Sequence, residues 1–212
     1  MVKSRFRKFL NVKIFVPPLV FQPRKETEFW TKKVIQDLKK ERIKKLFCLD
    51  LFCGTGCIGI SLAKNIKNLF CDFADIEKNA LLATKINLKL NKIEKNQARV
   101  IKTNVFSNIK RKYDLVVANP PYIAEDRIFE VQKEVLKKES FLALFGGKNG
   151  LFWIKKFLKE VKNFLTKKGK VYFEFDPYQK IEIEKILKKE FKKFKFFKDQ
   201  FKKWRFCKIV NT

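Results

Sequence analysis

The sequence contains no histidine, which excludes Ser-His-Asp and Cys-His nucleophilic machinery and every His-ligated metal centre. Cysteine is sparse and odd in number: Cys48, Cys53, Cys57, Cys71 and Cys207 lie in or beside expected strands and the first turn. Cys53 and Cys57 do not have the Cys-x-x-Cys spacing of a zinc site. All five read as small buried hydrophobes in a reducing compartment, with no metal and no disulfide framework. Acidic residues are also short, 22 against 50 Lys and Arg, leaving a formal charge of +28. A charge that large attracts polyanions, so weak nucleic-acid or ribosome association through a basic surface is one expectation. The lysines are scattered along almost every expected helix, however, and read first as a composition bias carried on solvated faces. No apolar stretch approaches the ~20 residues of a membrane-spanning helix. Residues 1–21 have the basic start and apolar follow-on of a secretion signal, but Lys13 interrupts the apolar part, Pro17-Pro18 breaks it, and no small-residue cleavage site follows. The expectation is a cytoplasmic monomer.

What is present suffices for one full α/β domain: 212 residues, 46% hydrophobic, with 24 phenylalanines. From residue 46 onward, short β-like runs alternate with segments of helical period, the signature of a parallel sheet with crossover helices. Strands are expected at 46–51, 69–74, 97–101, 113–118 and 170–175, with helices at 57–67, 77–90, 151–165 and 179–190. Gly169 reads as the stop of the third of these helices. Two last strands, 191–197 and 204–210, are close enough to pair as an antiparallel edge hairpin. Ahead of this lies a short β-like arm, residues 1–24, feeding a helix over 27–42. The main domain then spans residues 25–212.

The strand at 113–118 stops in Asn119-Pro120-Pro121-Tyr122. A buried strand ending this way places an amide oxygen, a stiff backbone and an aromatic ring at its carboxyl end, where open α/β sheets bind ligands. Each proline fixes φ and removes an N–H, and each pushes the residue before it into an extended conformation. The Pro120 carbonyl is thereby kept out of any ladder. An acceptor-lined slot for a planar N–H₂ group results, suited to an amide or an exocyclic amine.

A second motif runs from strand into turn into helix: Asp50-Leu51-Phe52-Cys53-Gly54-Thr55-Gly56-Cys57-Ile58-Gly59. Its glycines match G-x-G-x-x-G, and Asp75 follows at the end of the next strand, which is also the dinucleotide fingerprint. Two features favour S-adenosylmethionine over a nicotinamide cofactor. Asp50, just before the turn, suits a methionine ammonium and would repel a pyrophosphate, and hydride transfer has no use for Asn-Pro-Pro-Tyr. On this reading Phe52, Cys53, Gly54, Thr55 and Gly56 pass beneath the cofactor, and Asp75 accepts from both ribose hydroxyls. Asn104, Val105 and Phe106 flank the adenine, although a polar loop with a core Phe explains that triplet equally well. Asn119 adjoins both cofactor and acceptor.

With both motifs in one frame, the chain resembles the PrmC/HemK family of release factor glutamine methyltransferases. The resemblance also rests on Pro23-Arg24-Lys25-Glu26-Thr27-Glu28, similar to the family's Pro-Arg-Pro-Glu-Thr-Glu, and on Ala143-Leu144-Phe145-Gly146-Gly147. It implies an α/β, class I (Rossmann-like) S-adenosylmethionine-dependent methyltransferase, with a seven-stranded, mostly parallel sheet and an antiparallel last strand. It further implies that the Gln of a release factor's Gly-Gly-Gln motif is the methyl acceptor. Asn119 and Pro120 would then accept the two amide hydrogens, while Pro121 holds the turn and Tyr122 packs on the amide plane. Three departures stand out: Lys25 for a Pro, Glu139-Ser140 for Glu-Pro, and only about twenty residues before Pro23, where the family usually carries a helical substrate-recognition domain. Asn-Pro-Pro-Tyr is shared with N6-adenine methyltransferases of RNA or DNA, so that reading stays open. An adenine enzyme would need a base-flipping pocket and usually a recognition domain.

Overall fold

The computed structural model describes residues 5–42 and 44–212; residues 1–4 of the expected arm and Ile43 lie outside it. A hairpin of β1 (Phe6–Phe9) and β2 (Val12–Phe15) precedes helix α1 (Lys25–Lys39). Strand and helix then alternate through β3 (Leu46–Leu51), α2 (Cys57–Asn65), β4 (Leu69–Asp75), α3 (Lys78–Leu90), β5 (Ala98–Lys102) and β6 (Tyr113–Ala118). After short helices α4 (Lys133–Lys138) and α5 (Phe141–Leu144) come α6 (Phe152–Val161), β7 (Leu165–Glu174), α7 (Lys180–Glu190), β8 (Lys193–Lys198) and β9 (Trp204–Val210).

The main sheet has seven strands in the order β5-β4-β3-β6-β7-β9-β8. The first five in that order are parallel, and β9 runs antiparallel to both its neighbours. This is the class I methyltransferase arrangement. The closing hairpin forms, but its last strand sits inside the sheet and β8 takes the edge. Lysines at Lys193, Lys195 and Lys198 blunt that edge against further pairing. Gly169 is not a helix stop. The helical segment ends by residue 164, and β7 starts at Leu165, with Lys168 in the left-handed region (φ 66°) where the pairing with β6 shifts register.

Both faces of the sheet are covered, which explains why the central strands read as nearly unbroken apolar runs. On one face Cys48, Leu115 and Val117 pack with Trp30 and Val34 of α1 and Ile58 and Leu62 of α2. On the other, Leu49, Val116 and Ala118 meet Ile154, Phe157 and Val161 of α6 and Leu187 of α7. Phe9, Val12 and Ile14 of the hairpin belong to the first core.

Two asparagines one helical turn apart, Asn87 on α3 and Asn91 just past its end, bind the hairpin's free edge. Asn87 accepts from Phe15 N at 2.7 Å and donates to Phe15 O at 2.9 Å; Asn91 accepts from Lys13 N at 3.1 Å and donates to Lys13 O at 2.8 Å. Each amide thus imitates a neighbouring strand and pairs the backbone groups of an otherwise open edge. The Asn87 amide also donates to Thr55 O at 3.0 Å, tying the hairpin to the glycine turn.

Candidate active site

Leu51 of β3 and Ala118 of β6 are level in the sheet, so the glycine turn and Asn119-Pro120-Pro121-Tyr122 leave it side by side. Strand order reverses between these two strands, the place where such sheets open a ligand crevice. Two adjoining cavities occupy it, one enclosing about 860 Å³ and one about 340 Å³ of space between atoms, open solvent included. Phe21, Asn119, Pro121 and Ala143 line both.

The turn forms the floor of the larger cavity. Phe52 adopts φ 58°, Gly54 φ 54° and Gly56 φ 75°, and Gly56 N closes the turn on Cys53 O at 2.7 Å. Asp75, half-buried at the end of β4, accepts from Gly54 N at 2.9 Å and Glu77 N at 3.0 Å. Burial pushes its carboxyl up to about 6. Phe52, Cys53, Gly54, Thr55, Asp75, Asn104, Val105 and Asn119 all line this cavity.

Three residues expected to touch a cofactor do not line it. Asp50 lies on the sheet face beneath α2, fully buried, and its Oδ2 accepts from Gly59 N at 2.9 Å. Burial raises its pKa to about 8, which favours the uncharged acid, and the carboxyl holds the helix start. A Cβ at Gly59 would come within 2.9 Å of that carboxyl and 2.5 Å of the Phe73 ring, which explains the third glycine. Gly56 faces Thr84 of α3. Phe106 is stacked in the core on Phe164, with ring centroids 4.5 Å apart.

Pro120 and Tyr122 line the smaller cavity together with Arg24 and Ile123. Behind this wall sits Glu174, the fully buried last residue of β7. Its Oε2 accepts from Thr27 Oγ1 and from Trp30 Nε1, each at 2.7 Å, and its Oε1 from the Tyr122 hydroxyl at 2.9 Å. Asn119 Nδ2 reaches Thr27 Oγ1 at 3.4 Å. Burial raises the Glu174 pKa, and burial beside Glu174 lifts the Tyr122 hydroxyl well above its ordinary value.

The remaining sequence segments converge here. Arg24 pairs with buried Glu139 at 2.5 Å, and Leu19 N donates to Lys138 O, joining the segment before α1 to the loop after β6. Gly150, at φ 67°, presses so close that a Cβ would lie 2.1 Å from Tyr122 O. Gln179 Nε2 bridges Tyr122 O at 2.7 Å and Gly150 O at 2.9 Å. Sequence reasoning missed Glu174, Gln179, Ile76 and Trp153. Only Glu174 carried a signal, a lone acid near the end of the apolar run Val171-Tyr-Phe-Glu-Phe175.

Residues 11–154 match the methyltransferase small domain family. The chain is 32% identical to a release factor glutamine methyltransferase of Clostridium botulinum over 84% of this chain and 63% of that protein. It is also 32% identical to one of Flavobacterium psychrophilum, over 95% and 71%. It therefore spans about two thirds of the length of the relatives it matches. Among solved structures, a 16S rRNA N2 G1207 methyltransferase of T. thermophilus, in complex with AdoMet and guanosine, superposes with TM-score 0.71 at 15% identity, covering 98% of this chain and 50% of that one. That likeness is one of fold. No helix among the described residues is long and apolar enough to cross a membrane. Sequence identity, family match and the convergence of its motifs on one crevice agree that the chain belongs to the release factor glutamine methyltransferase family.

Proposed function

We propose that this protein transfers a methyl group from S-adenosylmethionine to the side-chain amide nitrogen of the glutamine in the Gly-Gly-Gln motif of peptide chain release factors. The observation that carries the reading is the shared wall of Phe21, Asn119, Pro121 and Ala143, which sets a small acceptor-lined cavity directly against a larger one. The names of the relatives support the choice of substrate.

The larger cavity fits the cofactor by the chemistry of its lining. Asp75 offers a carboxylate suited to a ribose diol, and Ile76, Ala80 and Val105 offer apolar surface suited to a flat ring. Gly54, with its missing side chain facing nothing nearer than Phe21 Cβ at 4.0 Å, leaves the backbone approachable. When bound, S-adenosylmethionine supplies an electrophilic methyl group.

A carboxamide nitrogen is a poor nucleophile, because its lone pair is delocalised, so orientation must carry much of the rate. Asn119 Oδ1 and the Pro120 carbonyl accept the two amide hydrogens; no group among the described residues donates to that carbonyl. The same oxygens stabilise the positive charge that grows on nitrogen, a preorganised electrostatic effect. Tyr122, anchored through its hydroxyl to Glu174, supplies a fixed wall for the amide plane. An N-alkylated amide cation is strongly acidic, so water suffices to take the proton and the lack of histidine is no obstacle. The net charge of +28 supports a weak, salt-dependent association with nucleic acid or the ribosome.

The test is to incubate the protein with labelled S-adenosylmethionine and either a purified release factor or total RNA, then locate the label. Label on the Gly-Gly-Gln glutamine supports the reading. Label confined to adenine in RNA overturns it.

A further inference from the structure

The two ends of a primary amide are told apart only by the partners they meet. Asn119 can serve a substrate amide only if its oxygen, and not its NH₂, faces the acceptor cavity. Nothing in Asn-Pro-Pro-Tyr itself enforces that choice.

The geometry points to Thr27 and Glu174 as the pair that sets the direction of the Asn119 amide, making both of them positioning residues for methyl transfer. The proposal rests on the reading of Asn119 as acceptor given above. Its logic begins at Trp30, whose indole nitrogen can only donate. That N–H points at Glu174 Oε2 at 2.7 Å, so Oε2 is an acceptor whether or not the carboxyl carries a proton, and any proton belongs on Oε1 beside Tyr122. The Thr27 hydroxyl, at 2.7 Å from the same Oε2, must therefore spend its single hydrogen there. What Thr27 Oγ1 has left is lone pairs, and the only matching partner Asn119 can present is Nδ2, which stands 3.4 Å away. Asn119 Oδ1 is thereby turned away from Thr27, free for a substrate hydrogen.

Burial gives this relay its force. Thr27, Trp30 and Glu174 are at most 1% exposed, which shields the hydrogen bonds among them from water. The three lie on α1 and β7, far from Asn119 in sequence, and are brought behind it by packing. Thr27 belongs to the Pro23 to Glu28 segment, whose acidic residues have an ordinary explanation at a helix start; the threonine between them does not.

The test compares Thr27→Val, which keeps the shape and removes the hydroxyl, with Thr27→Ser, which restores it. In the free protein, the side-chain ¹⁵N resonance of Asn119, identified by its loss in Asn119→Asp, should show one shifted, hydrogen-bonded proton. It should move toward the free-amide position in Thr27→Val and return in Thr27→Ser. In transfer assays with a release factor, kcat should fall about 10- to 100-fold in Thr27→Val and recover to within about threefold in Thr27→Ser, as expected for loss of one preorganised contact. KM and affinity for S-adenosylhomocysteine should stay within about twofold in both variants. An Asn119 resonance indifferent to Thr27→Val, or a Thr27→Ser protein as impaired as Thr27→Val, overturns the relay. If the wild type methylates no release factor, the substrate reading fails while the resonance of the free protein still decides the relay.

Discussion

The two halves of the crevice are built in different ways. The floor of the half under the glycine turn comes from consecutive residues: Phe52 to Thr55 leave β3 together, and Asp75 at the tip of the neighbouring strand closes it by accepting from Gly54 N. The acceptor half is assembled from β6, α1, β7 and the segment around Gly150, all meeting at Asn119 and Tyr122. That floor is backbone shaped by local turn chemistry. The acceptor half is a polar network whose members only packing brings together.

Breaking each half separately should separate binding from transfer. Asn119→Ala should reduce kcat by about 10²- to 10³-fold, equivalent to about 3–4 kcal/mol of transition-state stabilisation. Cofactor affinity measured calorimetrically should change little, and a loss of affinity matching the loss of rate would place Asn119 in cofactor binding alone. Asn87→Ala strikes the other half from behind. It leaves Phe15 N–H, Phe15 C=O and Thr55 C=O without a partner, and should lower unfolding free energy by about 2–3 kcal/mol in denaturant titrations. Cofactor affinity should fall along with it, because Thr55 is part of the cavity floor.

The third test is pH. Asp75 accepts from backbone donors with a pKa raised to about 6 by burial, and ribose hydroxyls donating to it would favour its ionised form. Cofactor binding should therefore tighten as pH rises toward 6 and level off above it. Below 6, protonation should weaken binding up to about tenfold per pH unit. Asp75→Asn should flatten this dependence, and an equally steep profile in that variant would assign it to another group. Lys25→Pro should have the smallest effect and touch neither half. Lys25 is the first residue of α1, and Arg24 before it is extended (φ −102°, ψ 156°), a conformation proline accepts in its predecessor. A gain of about 0.4–1 kcal/mol with unchanged kcat is expected, read as a rise in Tm.

Legibility followed the same division. The alternation of strand and helix, and the glycine turn with Asp75, were readable because local conformation and hydrophobic period dictate them. Asn119-Pro120-Pro121-Tyr122 was readable as a slot, since proline chemistry alone frees the Pro120 carbonyl. The direction of Asn119 was not, because it depends on Thr27 and Glu174, 92 and 55 residues away along the chain. The packing of Asp50 was hidden for a related reason: its position before the turn suggested a ligand, and strand alternation places it on the face under α2, against Gly59. Gly169 was misread because glycine serves helix ends and strand irregularities alike, and only the pairing of β6 with β7 distinguishes them. The asparagine pair gave no signal, since Asn87 and Asn91 look like ordinary polar positions until a strand edge lies beside them.

The proposed role of the crevice is to present a glutamine carboxamide for methylation. Its most direct test is methyl transfer to a release factor whose Gly-Gly-Gln glutamine is replaced by glutamate, measured beside the unaltered factor. In that role the protein should transfer methyl groups stoichiometrically to the unaltered factor and not at all to the replacement, which has no amide nitrogen at that position. Equal transfer to both would contradict it.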